Sequence, residues 1–358
     1  MHLNTISLTK FRNYNESSFS FGKRINCITG SNGAGKTNLL DAIYYICITK
    51  SYFATTEFQN IKHGESWFVL RGEIELNGIP YVVKCKVEKE KRKDLYLNEK
   101  RYERLSDHIG LLPLVFSTPN DVELIYGGSE ERRRFLDLML SQTDHTYLEN
   151  LQEYNRLLIQ RNALLKQFAE KGNFNASLLE VYDSRMLQPS TYIHNTRKDA
   201  IKEILPHINE TCHILSNGKE DMGITYQSDL HNQSMEQLLA GNLERDRIMK
   251  RTSSGIHRDD LIFRMDEKII KRFASQGQQK SFLIALKVGL LRWLKERKQV
   301  SPFLLLDDIF DKLDSERSSL LIELIAQNEF GQVFLTDTQH QRLEKALGKT
   351  DGVKFFQM

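Results

Sequence analysis

The sequence predicts an α/β fold built from both ends of the chain, with an all-helical lobe inserted between them. Three observations support this prediction. Residues 1–125 are rich in strand patterns and carry a Gly-rich loop between a strand and a helix. Long helical patterns dominate the middle of the chain, and apolar strands return after Gly255. We therefore predict one domain from residues 1–125 and 251–358, and a helical lobe from residues 126–250.

The composition is that of an ordinary folded protein. Of 358 residues, 40% are hydrophobic and 27% are charged, which argues against disorder. The net charge of +3 is too small to indicate a nucleic-acid partner, so any binding of an anionic polymer requires local clustering of charge. The four cysteines are scattered, so neither metal binding nor disulfides are expected. The N-terminus lacks a signal-peptide core and no apolar run approaches the roughly 20 residues of a membrane helix, which predicts a cytoplasmic protein.

The N-terminal third predicts short strands and tight turns. Residues 1–8 alternate like a strand, and residues 25–29 form a short buried strand before a helix over residues 36–49. Two hairpins are predicted, one turning at Asn77-Gly78 and one near Asn98-Glu99. Residues 114–116 predict a further strand.

The middle of the chain predicts a packed helical arm. Apolar residues recur at roughly heptad spacing from Leu151 to Phe168, the seam is broken at Arg161, and the pattern stops at Lys171-Gly172. About three heptads suffice for a packed arm and fall short of a long coiled coil.

The first motif with chemistry is the Gly-rich loop. Between a strand and a helix, glycines let backbone N–H groups surround phosphates, aided by the positive end of the helix. Lys36 would reach the phosphates and the Thr37 hydroxyl would hold Mg²⁺. The residues of this Walker A motif, all candidates for binding ATP, are Gly30, Ser31, Asn32, Gly33, Ala34, Gly35, Lys36 and Thr37.

The second motif is an apolar strand, residues 303–306, that ends in Asp307 and Asp308. Buried strands often end in solvated carboxylates, but together with the Gly-rich loop this one predicts a Walker B motif. Asp307 would bind Mg²⁺, directly or through water, and Asp308 stands where ABC-type ATPases usually carry the Glu that polarises the attacking water. Lys36, Asp307 and Asp308 are thus the predicted catalytic residues.

The third motif is Ser275-Gln276-Gly277-Gln278 at the start of a helix, roughly 25 residues before the Walker B strand. A hydroxyl and unbonded N–H groups at a helix start form an anion site, although a plain N-cap looks the same. ABC proteins place their signature motif at this spacing. There, the signature of one subunit caps the ATP of the other, which predicts that Ser275, Gly277 and Gln278 contact ATP in a dimer. Residues 311–314 occupy the D-loop position.

The chain resembles the RecF family of bacterial recombination and gap-repair ATPases over essentially its whole length. The resemblance rests on residues 11–14, 30–43, 128–137, 255–261 and 275–280; the Arg-Arg-Phe-Leu-Asp and His-Arg-Asp-Asp segments among them are not general ABC features. It implies an ABC/SMC-type P-loop ATPase head with a short helical lobe. It adds Arg12 to the predicted ATP-binding residues.

The resemblance also implies a function. Members of this family dimerise with ATP on duplex DNA or at single-strand/double-strand junctions, hydrolyse ATP slowly with stimulation by DNA, and cooperate with RecR and RecO in loading RecA. This places the chain in DNA replication, DNA repair and the SOS response, with ATP and Mg²⁺ as cofactors and no membrane partner.

Three features bear on these expectations. Ile256 replaces the family's usual Pro before His257. Asp308 stands where ABC-type ATPases usually carry Glu; an Asp there is common in this family and fits slow turnover. Asp337 stands where many ABC ATPases have a switch His, so no histidine γ-phosphate sensor can be named. The Q-loop equivalent is expected near Asn120-Asp121.

Clustered Lys and Arg are needed to displace the counterions of DNA phosphates. Most of these basic residues alternate with acids, as on any solvated helix, so for an individual residue a solvated surface position is favoured over a DNA contact. His257 and Arg258 have two interpretations, a place near the nucleotide or the dimer interface, which we favour, and a simple hydrogen-bonded turn. The basic candidates are Arg132, Arg133, Arg134, Arg156, Arg161, Arg197, Lys198, Lys202, Lys250 and Arg251.

Two other functions compete with a DNA-repair ATPase. A transporter's nucleotide-binding subunit is disfavoured, because residues 37 and 275 are much further apart than in such subunits and no transmembrane-coupling element is visible. A nucleotide-switch clamp with another role and little hydrolysis remains open, because Asp308 can be a poor base.

Overall fold

The structure is a computed structural model that describes residues 1–310, 315–327 and 330–358. Its strands, in chain order, are β1 (His2–Thr9), β2 (Glu16–Ser20), β3 (Ile25–Thr29), β4 (Trp67–Leu76), β5 (Ile79–Glu88), β6 (Asp94–Leu97), β7 (Lys100–Arg101), β8 (Leu114–Ser117), β9 (Met222–Gln227), β10 (Asp260–Met265), β11 (Lys268–Ile269), β12 (Phe303–Leu306), β13 (Val333–Asp337) and β14 (Val353–Gln357).

The helices account for most of the middle of the chain and follow several of the strands. In chain order they are α1 (Lys36–Ile48), α2 (Glu123–Tyr126), α3 (Ser129–Thr143), α4 (His145–Lys171), α5 (Ala176–Ser216), α6 (Met235–Gly241), α7 (Leu243–Met249), α8 (Ile270–Phe273), α9 (Gln276–Lys298), α10 (Ser315–Ala326) and α11 (His340–Leu347). Within the described residues, no helix combines the length and the apolarity that crossing a membrane requires.

A five-stranded parallel sheet joins the two ends of the chain, in the order β14-β3-β13-β12-β8. Every residue of β3, β8, β12 and β13 is buried, as in parallel sheets that are covered on both faces, and β12 is a continuous apolar run in the sequence. Because the strands are parallel, their carboxyl ends lie at one edge of the sheet. Asp337 is in register with Thr29 there, beside the start of the Gly-rich loop.

A second, six-stranded sheet is antiparallel in its β1, β4 and β5 core and has the order β2-β1-β4-β5-β6-β7. Its β4–β5 hairpin turns at Asn77 and Gly78, both with positive φ (52° and 79°), as a two-residue hairpin turn requires. The β6–β7 turn lies at Asn98 and Glu99. Both predicted hairpins are confirmed, as are the predicted strands over residues 25–29, 114–116 and 303–306.

The predicted helical arm corresponds to α3, α4 and the long α5. α4 ends at Lys171, and Gly172 follows it in a left-handed conformation (φ 64°), which is the usual end of a helix. One element differs from the all-helical prediction, because Met222–Gln227 is a strand. It pairs with β10, whose residues alternate between half-buried and buried. The partner lies about 40 residues away, so a short local pattern could not identify the pairing.

The chain divides into two compact units. Unit 1 comprises Met1–Val122, His207–Glu220 and Ser275–Met358, and unit 2 comprises Glu123–Pro206 and Asp221–Ala274. The five-stranded parallel sheet and the six-stranded sheet belong to unit 1. The three-stranded sheet β11-β10-β9 belongs to unit 2. These bounds differ from the predicted ones, since residues 251–274 group with the mostly helical unit and residues 207–220 of the predicted lobe group with unit 1. The assignment of the units as ATPase head and lobe stays a prediction.

Candidate functional site

The Gly-rich loop connects β3 to α1 through a backbone path that two glycines make possible. Gly33 and Gly35 have φ of 84° and 112°, the left-handed region that glycine adopts without steric cost. A Cβ on Gly35 would lie 2.7 Å from Asn13 Nδ2 and 2.8 Å from Tyr14 Oη, whereas a Cβ on Gly33 would meet nothing within 4 Å. The loop is therefore packed tightly on one side and open on the other.

Residues 13 and 14 support the packed side of this loop. Asn13 Nδ2 donates to the Ala34 carbonyl (3.3 Å) and the Tyr14 hydroxyl donates to the Gly35 carbonyl (3.0 Å). Tyr14 is buried, and this burial raises the pKa of its hydroxyl, which stays a donor at every physiological pH. These contacts fix the carbonyls on one side of the loop. Sequence reasoning found residues 13 and 14 only through the family resemblance.

Arg12, predicted to bind nucleotide, is held by neighbouring side chains. Its guanidinium donates to Asn60 (3.2 Å), Asn38 (3.1 Å) and Ser51 (2.9 Å), and lies 2.7 Å from Asp41. Burial raises the pKa of Asp41, and the charge of Arg12 opposes that rise. Since Asn38 and Asp41 lie on α1, Arg12 fixes the helix that begins at the loop. A direct contact between Arg12 and nucleotide stays a prediction.

Lys36 and Thr37 are the first two residues of α1. Lys36 Nζ donates to the carbonyls of Gly30 (2.9 Å) and Ser31 (3.0 Å), so it lies along the loop. The Thr37 hydroxyl donates to the carboxylate of Asp307, at 2.9 and 3.1 Å from its two oxygens. Residues that are 270 positions apart in the sequence are thus brought into contact. The loop and the acid predicted to share a magnesium ion are adjacent.

Thr336, the penultimate residue of β13, contacts both predicted Walker B acids. Its hydroxyl donates to Asp307 Oδ1 (2.6 Å) and accepts a hydrogen bond from the Asp308 backbone N–H (2.9 Å). Asp308 has a φ of 44°, an uncommon left-handed conformation for a residue other than glycine. Sequence reasoning gave Thr336 no role. The signal that could have found it is a hydroxyl at the end of an otherwise apolar strand.

The electrostatics at Asp307 suit a cation. Asp307 is 4% exposed, and burial raises its pKa, helped by the nearby charge of Asp308. Hydrogen bonds from Thr336 and Thr37 and the charge of Lys36 oppose this rise. A bound divalent cation would stabilise the ionised form of such a carboxylate.

The residues present fit ATP and Mg²⁺. The loop offers N–H groups at a helix start, with an open side at Gly33. Thr37 and Asp307 supply a hydroxyl and a carboxylate oxygen at one point, which is the ligand chemistry Mg²⁺ prefers when phosphates and water complete its shell.

The predicted signature residues form a helix cap within their own chain. Ser275 Oγ accepts from the Gln278 N–H (3.3 Å), and Gln278 Oε1 accepts from the Ser275 N–H (2.9 Å), which is a reciprocal capping box at the start of α9. Gln278 Nε2 also donates to Glu220 Oε1 (3.1 Å). The contact of Ser275 and Gln278 with ATP of a second subunit stays a prediction.

Three further positions were singled out in the sequence. Residues 311–314, at the D-loop position, lie outside the described residues. Asp121, in the expected Q-loop region, is buried and accepts from Lys287 Nζ (2.9 Å) and the Tyr52 hydroxyl (2.9 Å), so it is committed to an internal network. Asp337 is also buried, accepts from the Gln339 N–H (2.8 Å) and lies 3.4 Å from Arg342.

Two of the basic candidates for contact with DNA are wrong, because their side chains are buried in unit 2. Arg161 is 0% exposed and pairs with Asp246 and Asp183 (2.7 and 2.6 Å). Arg197 is 2% exposed and pairs with Asp137 and Asp259 (both 2.8 Å).

The other basic candidates differ in exposure. Arg132 pairs with Asp260 at 2.7 Å and is 11% exposed. Arg133, also half-buried, donates to the Asp259 carbonyl (2.6 Å), and Arg156 pairs with Glu153. The remaining five are exposed: Arg134, Lys198, Lys202, Lys250 and Arg251.

His257 belongs to a hydrogen-bonded turn in unit 2. Its Nδ1 lies 2.8 Å from the Tyr154 hydroxyl and its Nε2 lies 3.2 Å from the Thr252 carbonyl. Burial lowers its pKa to about 4, so the ring is neutral at physiological pH. Of the two interpretations left open for His257, these contacts match the hydrogen-bonded turn.

The loop after β3, the acids after β12 and the order of the parallel sheet define a class of protein, the ATPase head of the ABC/SMC type. Comparison with known families gives the same result. The family model described as "RecF/RecN/SMC N terminal domain" matches residues 2–358, and the chain belongs to this family.

Curated relatives match the chain over nearly its whole length. A protein of Flavobacterium johnsoniae called "DNA replication and repair protein RecF" is 44% identical, over 98% of each chain. A protein of Parabacteroides distasonis with the same name is 42% identical, over 97% of this chain and 94% of its own.

Solved structures agree with the fold. One, described as "Structure of the recombination mediator protein RecF-ATPrS in RecFOR pathway", has a TM-score of 0.88 at 26% identity and covers 100% of this chain and 96% of its own. An Smc head domain from Pyrococcus furiosus has a TM-score of 0.57 at 16% identity over 99% of this chain and 93% of its own, and supports the fold alone.

Proposed function

We propose that this chain is an ATP-dependent DNA-binding protein of recombinational gap repair and replication, acting in the cytoplasm. It dimerises with ATP on duplex DNA or at single-strand/double-strand junctions, and helps RecR and RecO load RecA. The observation that carries the ATPase part is the contact of Thr37 with Asp307 at the edge of the parallel sheet. The names of the curated relatives support the DNA-repair part.

Each residue of the site has a chemical task in this proposal. The N–H groups of the Gly-rich loop and Lys36 Nζ bind the β- and γ-phosphates. Thr37 and Asp307 would hold Mg²⁺, and the ion would neutralise negative charge on the phosphates. Asp308 orients the attacking water and accepts its proton, and a carboxylate one methylene shorter than Glu fits slow turnover.

The proposal includes a site completed by two subunits. Ser275, Gly277 and the start of α9 from one subunit would contact the γ-phosphate held by the Gly-rich loop of the other. Ser275 is exposed, and its hydroxyl already accepts one hydrogen bond, so its hydrogen can be donated outward. ATP then acts mainly as a signal for dimer closure.

A second candidate is a nucleotide-switch clamp with another role and little hydrolysis. The observation that favours it is the geometry of Asp308, whose backbone is tied to Thr336 in a left-handed conformation. A short side chain on a constrained backbone can place its carboxylate in few positions, which limits how well it can orient the attacking water.

One experiment separates these functions. ATP hydrolysis and sedimentation are measured with no DNA, single-stranded DNA, duplex DNA and gapped duplex, with Lys36→Ala as the nucleotide-deficient control. The repair proposal expects duplex or gapped DNA to raise both turnover and the dimer fraction. DNA-dependent dimers without turnover would favour the switch clamp, and the absence of any DNA effect would overturn the repair proposal.

A further inference from the structure

Two charged residues outside every predicted motif meet at the signature turn, residues 275–278. Glu220 follows α5 in the chain, and Arg317 lies in the first turn of α10. Arg317 Nη1 donates to the Gly277 carbonyl (2.9 Å) and to the Ser281 hydroxyl, and its Nη2 donates to Glu220 Oε1 (3.3 Å). We call Glu220 and Arg317 the signature clamp.

The clamp holds the side chain of Gln278 through Nε2, the amide atom that the capping box does not use. The amide of Gln278 uses Oε1 to accept from the Ser275 N–H, and its Nε2 donates to Glu220. The Ser275 N–H and Glu220 together fix the orientation of this amide. A Gln278 held in this way keeps the capping box closed, with Ser275 at the surface.

The clamp is largely shielded from solvent, so its contacts are screened less by salt than those of a surface ion pair. The side chains of Glu220 and Arg317 are 8% and 20% exposed. Glu220 Oε1 accepts two hydrogen bonds, whereas its Oε2 is buried without a hydrogen-bond partner among the described residues. A buried carboxylate oxygen without a donor costs free energy, so simple stabilisation of the fold is a poor explanation for this carboxylate.

We propose that Glu220 and Arg317 are positioning residues that hold the signature turn in the geometry that receives ATP from a second subunit. Arg317 also connects this turn to α10, the helix that follows the D-loop position at residues 311–314. Sites that bind charged groups need such support, because a loosely held anion site loses affinity even when every contacting residue is present. This inference rests on the proposed in-trans site.

The test uses the full chain with Arg317→Met, Arg317→Lys and Glu220→Gln. Sedimentation with ATP and Mg²⁺ measures dimerisation, and equilibrium binding of a fluorescent ATP analogue at low protein concentration measures nucleotide affinity of the monomer. We expect Arg317→Met to weaken the ATP-dependent dimer by about tenfold or more, with monomer affinity unchanged. Arg317→Lys should recover part of the loss, because it keeps the charge near Glu220 but loses the fork of donors.

Coupling between the two residues and a matched control make the test specific. The double variant Glu220→Gln/Arg317→Met should dimerise only slightly more weakly than Arg317→Met alone, since both substitutions disrupt one network. Turnover per subunit should return at high protein concentration, which a folding defect would not allow. The control is Arg297→Met, which removes the same charge from α9 about 30 Å along the helix from Gly277 and should leave dimerisation unchanged.

The outcomes distinguish this inference from the proposed function. If the wild type and the clamp variants dimerise equally well with ATP, the inference is overturned, whereas the proposed in-trans site is not. Equal losses of monomer nucleotide affinity and dimerisation would also overturn it. A wild-type protein that stays monomeric with ATP would overturn both.

Discussion

The hydroxyl of Thr336 contacts the carboxylate of Asp307 and the backbone N–H of Asp308 at the same time. One side chain therefore sets the orientation of the predicted magnesium ligand and the backbone of the predicted base. Residues that orient metal ligands commonly change metal affinity or activity by about 10- to 100-fold when they are replaced.

We expect Thr336→Val, which keeps the shape but removes the hydroxyl, to lower the ATP hydrolysis rate by about 10- to 100-fold. Thr336→Ser should restore most of the rate. Nucleotide affinity without Mg²⁺ should be unchanged, because Thr336 has no predicted contact with the phosphates. Steady-state hydrolysis across a Mg²⁺ titration provides the measurement, and equal rates for the Val and Ser variants would contradict this role.

Lys36 provides a second prediction at the scale of single residues. Lys36→Ala removes the predicted main cation at the phosphates, so nucleotide affinity should fall by about tenfold or more. Lys23→Ala, at an exposed position before β3, is the control. Equilibrium titration with a fluorescent ATP analogue measures both. Unchanged affinity in Lys36→Ala would remove the Gly-rich loop from the site.

At the scale of elements, α4 shows what a helical pattern can and cannot predict. Its apolar spacing predicted a helix ending at Lys171, and the structure ends it there. The local pattern could not explain why Arg161 interrupts the apolar heptad positions of this helix. Its partners Asp183 and Asp246 are 22 and 85 positions away, so only the folded arrangement reveals a buried ion network.

We expect Arg161→Met to destabilise unit 2 by about 3–5 kcal/mol, because it leaves the fully buried Asp246 without its cation. Arg156→Met on the same helix replaces a residue that is 52% exposed and should cost less than about 1 kcal/mol. Urea unfolding measures both. Adding Asp246→Asn to Arg161→Met should recover part of the loss, and no recovery would point to lost packing instead of an uncompensated charge.

At the scale of the whole molecule, buried histidines make stability depend on pH. His108 is 0% exposed, its Nε2 lies 2.7 Å from the Ile46 carbonyl, and burial lowers its pKa to about 4 from the usual 6.5. The unfolded chain therefore takes up this proton first. The contribution of His108 is fully present above about pH 6.5 and is lost as the pH falls towards 4.

We expect the free energy of unfolding to fall between pH 7 and pH 5, and His108→Gln to reduce that fall. Linkage limits the contribution of His108 to about 3 kcal/mol. Urea unfolding at pH 7, 6 and 5 is the measurement, with His63→Gln at an exposed position as the control. The same pH dependence in the His108 variant and the wild type would rule out this origin.

The arrangement of the whole chain determines how much of the fold and site could be predicted from the sequence. The Gly-rich loop and the acids after residue 306 were identified because each motif is local. Their contact follows from the strand order β3-β13-β12, which brings Thr336 between them and which no local pattern specifies. Glu220 and Arg317 were missed for the same reason, since their partners lie in other segments of the chain.

The position of β3 in its sheet has a consequence for synthesis. β3 ends at Thr29, and both of its partner strands, β13 and β14, begin at or after Val333. At roughly 5–20 residues per second, a ribosome needs about 15–60 s to make the chain between them. During that time the strand before the Gly-rich loop has no sheet to join. Nascent chains should therefore acquire affinity for nucleotide late in translation, when β13 and β14 emerge.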